Sequence, residues 1–245
     1  MNAFTAIVLL DIRGILRDNV MFINIGMSVT IVAIITVLGL FQHQLPGWSD
    51  WYPFMIALSL VGGPGGFGVL FGMLMVDEND SGVRQALAVT PVPPTRLILT
   101  RTIVATAWMC VWPAITLSIM NATWRTIDIP AIEWVAIILS YALLAPALAL
   151  AIPTMAKDKV EALAVFKGLT FCTLVPLALY FVAPDAWYRP LFLISPTAWG
   201  IESFDAFRAG SRAGYWWALG GAVYALALLV AAATYLRRIV YKLNV

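Results

Sequence analysis

Six stretches of roughly 20 predominantly apolar residues run through this chain, with approximate limits 20–41, 53–76, 97–120, 131–154, 162–183 and 215–236. Each is long enough to cross the ~30 Å hydrocarbon core of a bilayer as an α-helix. The runs are apolar all round and lack the strand-and-turn rhythm of an outer-membrane barrel. The expected fold class is therefore all-α: a polytopic membrane protein with six transmembrane helices in a single domain, residues 1–245. Apolar residues make up 62% of the chain and charged ones only 11%, with a mean hydropathy of +0.89. A soluble domain carries about a quarter charged residues. The formal net charge of +2 is too small for a nucleic-acid binder, which masses basic residues on one face. The bilayer is thus an expected partner and nucleic acid is not. Cys110 and Cys172 both fall inside apolar stretches, with no Cys-x-x-Cys pair and no clustered His, so neither a disulfide framework nor a metal site is readable.

Residues 1–18 differ from the spans. Phe4, Ile7, Val8, Ile12 and Ile15 can share one helical side, with Asp11, Arg13, Arg17 and Asp18 opposite. That pattern describes a helix lying in the membrane surface; a plain extension of the first span is the alternative. A signal peptide fits poorly, because the opening residues carry no positive side chain and Asp11 interrupts the apolar run. Eleven Lys and Arg fall on one set of sides (Arg13, Arg17, Arg84, Arg96, Arg101, Lys157, Lys159, Lys167, Arg237, Arg238, Lys242) and four on the other (Arg125, Arg189, Arg208, Arg212). Both termini are therefore expected in the cytoplasm. Trp48, Trp51, Trp124, Trp134, Trp187, Trp216 and Trp217 lie near outer span ends, as an interfacial belt requires.

The centres of the spans carry no ionisable side chain. Ion-driven carriers need one there, so that class is disfavoured. His43, the single histidine, falls in a short outer loop, and no Gly-x-Ser-x-Gly elbow occurs, so no enzyme chemistry is expected. The run Val61-Gly62-Gly63-Pro64-Gly65-Gly66-Phe67-Gly68 lacks the Gly-Lys-Ser/Thr ending of a phosphate loop and sits within a span. Gly62 with Gly66, and Gly68 with Gly72, are spaced for close helix approach, and Pro64 for a kink; a packing site and a hinge both remain open. Phe67, Phe71, Met73, Trp108 and Trp112 suit a path for a hydrophobic or amphipathic cargo such as a drug, lipid or peptide, although such residues also pack membrane cores.

Between the second and third spans, Asp77, Glu78, Asp80 and Ser81 precede a stretch in which Val83, Ala86, Leu87 and Thr90 repeat on one helical face before Pro91, Pro93 and Pro94. Acidic residues favour a helix N-terminus and prolines stop a helix. A short amphipathic cytoplasmic helix over about 78–91 is expected; a tidy turn is the alternative.

Three segments resemble permeases of type-2 ATP-binding-cassette exporters. Glu78-x-x-x-Gly82 followed by Leu87, Pro91 and Thr95-Arg96-Leu97 is similar to their loop after the second span. Residues 10–19 resemble their entry helix, and Ser195-Pro196 with Glu202 and Phe204 resembles the stretch between their last two spans. The resemblance implies a half-channel that pairs with a second permease chain, identical or homologous, and with cytoplasmic ATPase subunits. ATP and magnesium would then bind on those subunits, with no cofactor on this chain. It further implies that residues 78–91, with Glu78, Gly82, Arg84, Leu87 and Pro91, dock in the ATPase, with a lesser contact at 155–161 through Lys157 and Asp158. Arg84 stands where an acidic or small polar residue is common. Residues 184–214 are implied to form two short helices dipping into the outer leaflet, with Ser195 as cap and Pro196 in the first turn; Glu202, Asp205 and Arg208 line the exit or face water. The expected location is the inner membrane of a prokaryotic cell. A secondary carrier or a non-transporting membrane scaffold is the alternative.

Overall fold

The computed structural model describes residues 3–41, 44, 47–81, 94–124 and 129–242, and among these every regular element is helical. Helix α1 (Ala3–Arg17) leads into α2 (Asn19–Leu40), then α3 (Trp48–Asp80) and α4 (Pro94–Trp124). The helices α5 (Ala131–Ala142), α6 (Leu144–Met155) and α7 (Lys159–Leu174) follow. The chain then passes through 3-10 segments at Val175–Phe181 and Arg189–Ile194 into α8 (Pro196–Arg208) and α9 (Ala213–Lys242). Among the described residues five helical stretches are long and apolar enough to cross a membrane: Met21–Leu40, Arg96–Trp124, Ala131–Met155, Lys159–Phe181 and Ala213–Arg238. Each lies within a few residues of an apolar run in the sequence. The remaining run, 53–76, lies inside the 33-residue helix α3.

Two spans are interrupted where the sequence explains it. Pro146 has no N–H to offer the Ala142 carbonyl and its ring crowds that oxygen, so the helix breaks at Leu143, whose C-cap geometry separates α5 from α6. Pro176 likewise cannot bond the Cys172 carbonyl, and α7 tightens into a 3-10 turn there. The carbonyls released are not left bare. Ser195 Oγ donates to the Cys172 oxygen at 2.8 Å and Thr197 Oγ1 to the Thr173 oxygen at 2.7 Å. Ser195 thus occupies the cap position of α8 as expected, and its hydroxyl bonds the Cys172 carbonyl of α7 and the Thr197 hydroxyl in place of a backbone amide of α8. Pro196 takes the first helical position as expected.

Helix α6 is the hub. Eight of its twelve residues are buried, from Leu144 to Ile152, and it packs chiefly on α3 and α9. Its alanines let α3 approach until a Cβ built on Gly68 would lie 2.6 Å from the Ala145 oxygen, and one on Gly72 2.7 Å from Ile152 Cδ1. This Gly68/Gly72 pair is therefore a packing surface. By contrast, nothing lies within 4 Å of a Cβ on Gly62.

Toward one end of the bundle the core gathers Ile35, Tyr52, Ile56, Met120, Trp124 and Phe204, and toward the other Ile15, Met21, Val32, Met73 and Ile152. Trp124 stacks on Tyr52 with ring centroids 4.7 Å apart and donates Nε1–H to the Ile35 oxygen at 3.2 Å. It is a buried lock between α2, α3 and α4, and Trp134 stacks on Phe204. Among the described tryptophans of the expected belt, Trp51, Trp187 and Trp216 are exposed.

Helix α1 has three sides rather than two. Ile7, Asp11 and Ile15, four residues apart, face the protein and are buried. Leu9, Ile12 and Leu16 form an exposed apolar strip, and Arg13 and Arg17 are exposed beside it. Asp11 therefore stands on the packed side, not with the outward charges where simple two-face amphipathicity would put it.

Candidate functional site: an ion-paired base around the 81–94 connection

Helix α3 ends in Asp77, Glu78, Asn79 and Asp80. The acidic cluster is thus the last turn of α3, not the first turn of a separate helix. Ser81 closes that end, its Oγ donating to the Asp77 oxygen at 2.6 Å. Carboxylates at a helix C-terminus oppose the helix dipole and so require cations from elsewhere.

Those cations come from α4 and α7. Arg101 Nε and Nη2 donate to both oxygens of Asp11, at 2.9 and 2.7 Å. Its Nη1 and Nη2 also donate to both oxygens of Glu78, at 2.8 and 2.5 Å. One planar guanidinium thereby makes two bidentate contacts, a geometry that lysine cannot reproduce. Arg101 is 2% exposed and Asp11 7%. At the edge of this cluster, Lys159 Nζ lies 2.6 Å from Asp18 Oδ2 and 3.3 Å from Asp77 Oδ1. The ends of α1, α3, α4 and α7 are in this way joined by charge.

Neighbouring residues are held by local capping. Asp18 Oδ1 accepts Met21 N–H at 3.1 Å as α2 begins. Asp158 Oδ1 accepts the amides of Val160 and Glu161, each at 2.8 Å, while the Lys157 amide donates to Glu161 Oε2 at 2.9 Å. The Asp158 side chain thus caps its own helix while Glu161 accepts from the residue before the cap, and the Lys157 side chain is exposed.

Of the expected coupling residues, Glu78 enters the Arg101 cluster, whereas Gly82, Arg84, Leu87 and Pro91 lie outside the described residues. The described members of the aromatic and methionine set fall in different surroundings, with Met73 and Trp112 sharing one cluster. Phe71 is buried against Ala105 and Ala149. Met73 packs in a separate cluster, with Met21 and Ile152; two residues on, it points nearly the opposite way around α3. Trp112 is buried close to Gly63, and Trp108 is 40% exposed on the outside of α4. Phe67 belongs to α3 by its backbone.

At the other end of the bundle, Arg189 pairs with Glu202 at 2.8 Å. Tyr180 OH donates to Asp205 Oδ1 at 3.3 Å, and Arg208 stands 3.8 Å from the same oxygen. Burial pushes the Asp205 carboxyl up to about 6, with Arg208 acting in the opposite direction.

Arg101, Asp11, Lys159 and Asp18 escaped the sequence reading as a group. A usable signal was present: Arg101 lies several residues inside an apolar run, and a charge in that position requires a partner.

Long apolar helices packed around a buried hub, with a charged base at one end, are the architecture of a multi-pass membrane protein. The chain belongs to the family described as "Fluoroquinolones export permease protein Rv2686c-like", whose model matches residues 11–233, nearly the whole chain. No curated protein matches it. Membership agrees with the resemblance to exporter permeases of the ATP-binding-cassette class, and marks the chain as a transport subunit.

Proposed function

We propose that this chain forms half of the substrate path of an ATP-driven exporter in the inner membrane of a prokaryotic cell. On this reading α3 supplies a sixth span and both termini are cytoplasmic. Residues 184–214 dip into the outer leaflet, which the exposed Trp187, Leu191 and Ile194 favour. A second permease chain completes the path, and cytoplasmic ATPase subunits hold the nucleotide and magnesium. The observation that carries the reading is the ion-paired base. Glu78 and Arg101 fix both roots of the connection between α3 and α4, so force applied to residues 82–93 reaches the spans as rigid-body motion. Gly82, Arg84, Leu87 and Pro91 would meet the ATPase there, with Lys157 at its margin. The cargo class supported by the family's printed name is a fluoroquinolone-like drug, aromatic and amphipathic; Phe67, Phe71, Met73, Trp108 and Trp112 remain candidates for its route.

The test is to purify the permease with its ATPase, reconstitute it in liposomes and measure drug-stimulated ATP hydrolysis and drug uptake. Leu87→Asp places a charge in an apolar contact, at a cost of about 1–3 kcal/mol, and is expected to abolish both stimulation and copurification. Wild-type yield and transport in that variant would overturn the docking assignment.

A further inference from the structure

We infer that Arg101 is a positioning residue that makes helix α1 part of the moving unit, so that α1, the end of α3 and the start of α4 shift together when the 82–93 connection is pushed. The inference rests on the exporter reading and deepens it, because that reading alone needs only α3 and α4 to move. Three observations carry it.

The first is the form of the contact. All four oxygens of Asp11 and Glu78 are bonded by one guanidinium. Sliding α1 relative to α4 would therefore break two charge-assisted bonds at once. The second is burial. At 2% exposure for Arg101 and 7% for Asp11, water cannot replace a lost partner, so the separated state holds an uncompensated charge. The third is the remaining surface of α1. Leu9, Ile12 and Leu16 face away from the protein, so among the described contacts its attachment runs through Ile7, Asp11, Ile15, the close approach of Gly14 to Leu74, and the Lys159–Asp18 pair. The ion pairs give this attachment its direction, since apolar contacts alone permit sliding.

The experiment uses the whole transporter reconstituted with its ATPase, with Cys110→Ala and Cys172→Ala as background. Spin labels placed at the exposed positions by Arg13→Cys and Arg96→Cys report the separation of α1 from α4, nucleotide-free and after vanadate trapping with ATP. In the otherwise wild-type protein one narrow distance is expected in both states. In Arg101→Met the distance distribution should broaden and change on trapping, and the ATP hydrolysed per drug molecule exported should rise several-fold at equal amounts of folded complex. Arg101→Lys should restore part of both. Asp11→Ala leaves Arg101 with Glu78 and releases α1 alone; it should show the same two effects and decides the matter if Arg101→Met does not fold. A role in stability alone would lower the yield without moving the hydrolysis-to-transport ratio. An unchanged distance, or a wild-type ratio despite a changed distance, overturns the inference. Failure of the exporter reading is told apart by the control, since the labelled wild type would then export no drug in response to ATP.

Discussion

Arg101 and Lys159 are both paired with two carboxylates, yet their surroundings separate their worth. Breaking a buried pair by removing one partner costs about 3–5 kcal/mol, whereas an exposed pair contributes about 0–1 kcal/mol. The Lys159 side chain is 37% exposed and that of Arg101 2%. Thermal unfolding in detergent should therefore show a large fall in midpoint for Arg101→Met and a small one for Lys159→Met; equal falls would contradict the assignment of burial as the deciding factor. Asp205 gives a pH-dependent counterpart. Its carboxyl is raised to about 6 by burial, against about 3.9 in an unfolded chain. Between these values the folded state holds a proton that the unfolded state lacks, so stability contributed by this group rises as pH falls through about 6 and is lost above it. The unfolding midpoint of Asp205→Asn should respond less to a change from pH 7.5 to pH 5, values bracketing that range, than that of wild type. Identical responses would remove Asp205 from the account.

Among the elements, the long helices were legible because a run of roughly 20 apolar residues leaves few alternatives in lipid. The interruptions were less so. A proline within an apolar run signals a missing donor, but only the partner that takes the freed carbonyl decides whether the chain breaks, as at Pro146 and Pro176. The acidic turn at 77–80 was misassigned for a related reason: local preference places carboxylates at helix starts, and it was overridden by Arg101 and Lys159, which are distant in sequence. The candidate site was visible in its location and hidden in its pairing, since Asp11 and Arg101 are separated by 90 residues. The glycine pair of α3 was legible as spacing, and its neighbour was not. Gly68→Leu should force α3 away from Ala145 and Leu148, with a loss of about 1–3 kcal/mol or more from overpacking, whereas Gly62→Leu should be tolerated because a Cβ there meets nothing within 4 Å. Differential scanning of the two variants, purified alike, checks this; equal losses would deny that α6 is the relevant contact.

At the scale of the whole molecule, the proposed orientation with both termini cytoplasmic rests on the eleven-to-four split of Lys and Arg. In a cysteine-free background, Ala186→Cys should react with an impermeant thiol reagent added outside intact cells, and Asp80→Cys should not. Labelling at residue 80 would invert the arrangement. The burial of α6 also has a consequence for how the protein is made. Helix α3 leaves the ribosome well before its main neighbour does, since Gly68 and Ala145 are 77 positions apart. Until α6 follows, the grooved face of α3 has only lipid to fill it. Nascent chains halted before residue 143 should thus be inserted yet open to membrane proteases and quality control, and those extended past residue 158 should become resistant. The fourth apolar run thus brings α3 its main neighbour, while α9 arrives later still to cover another face of the hub.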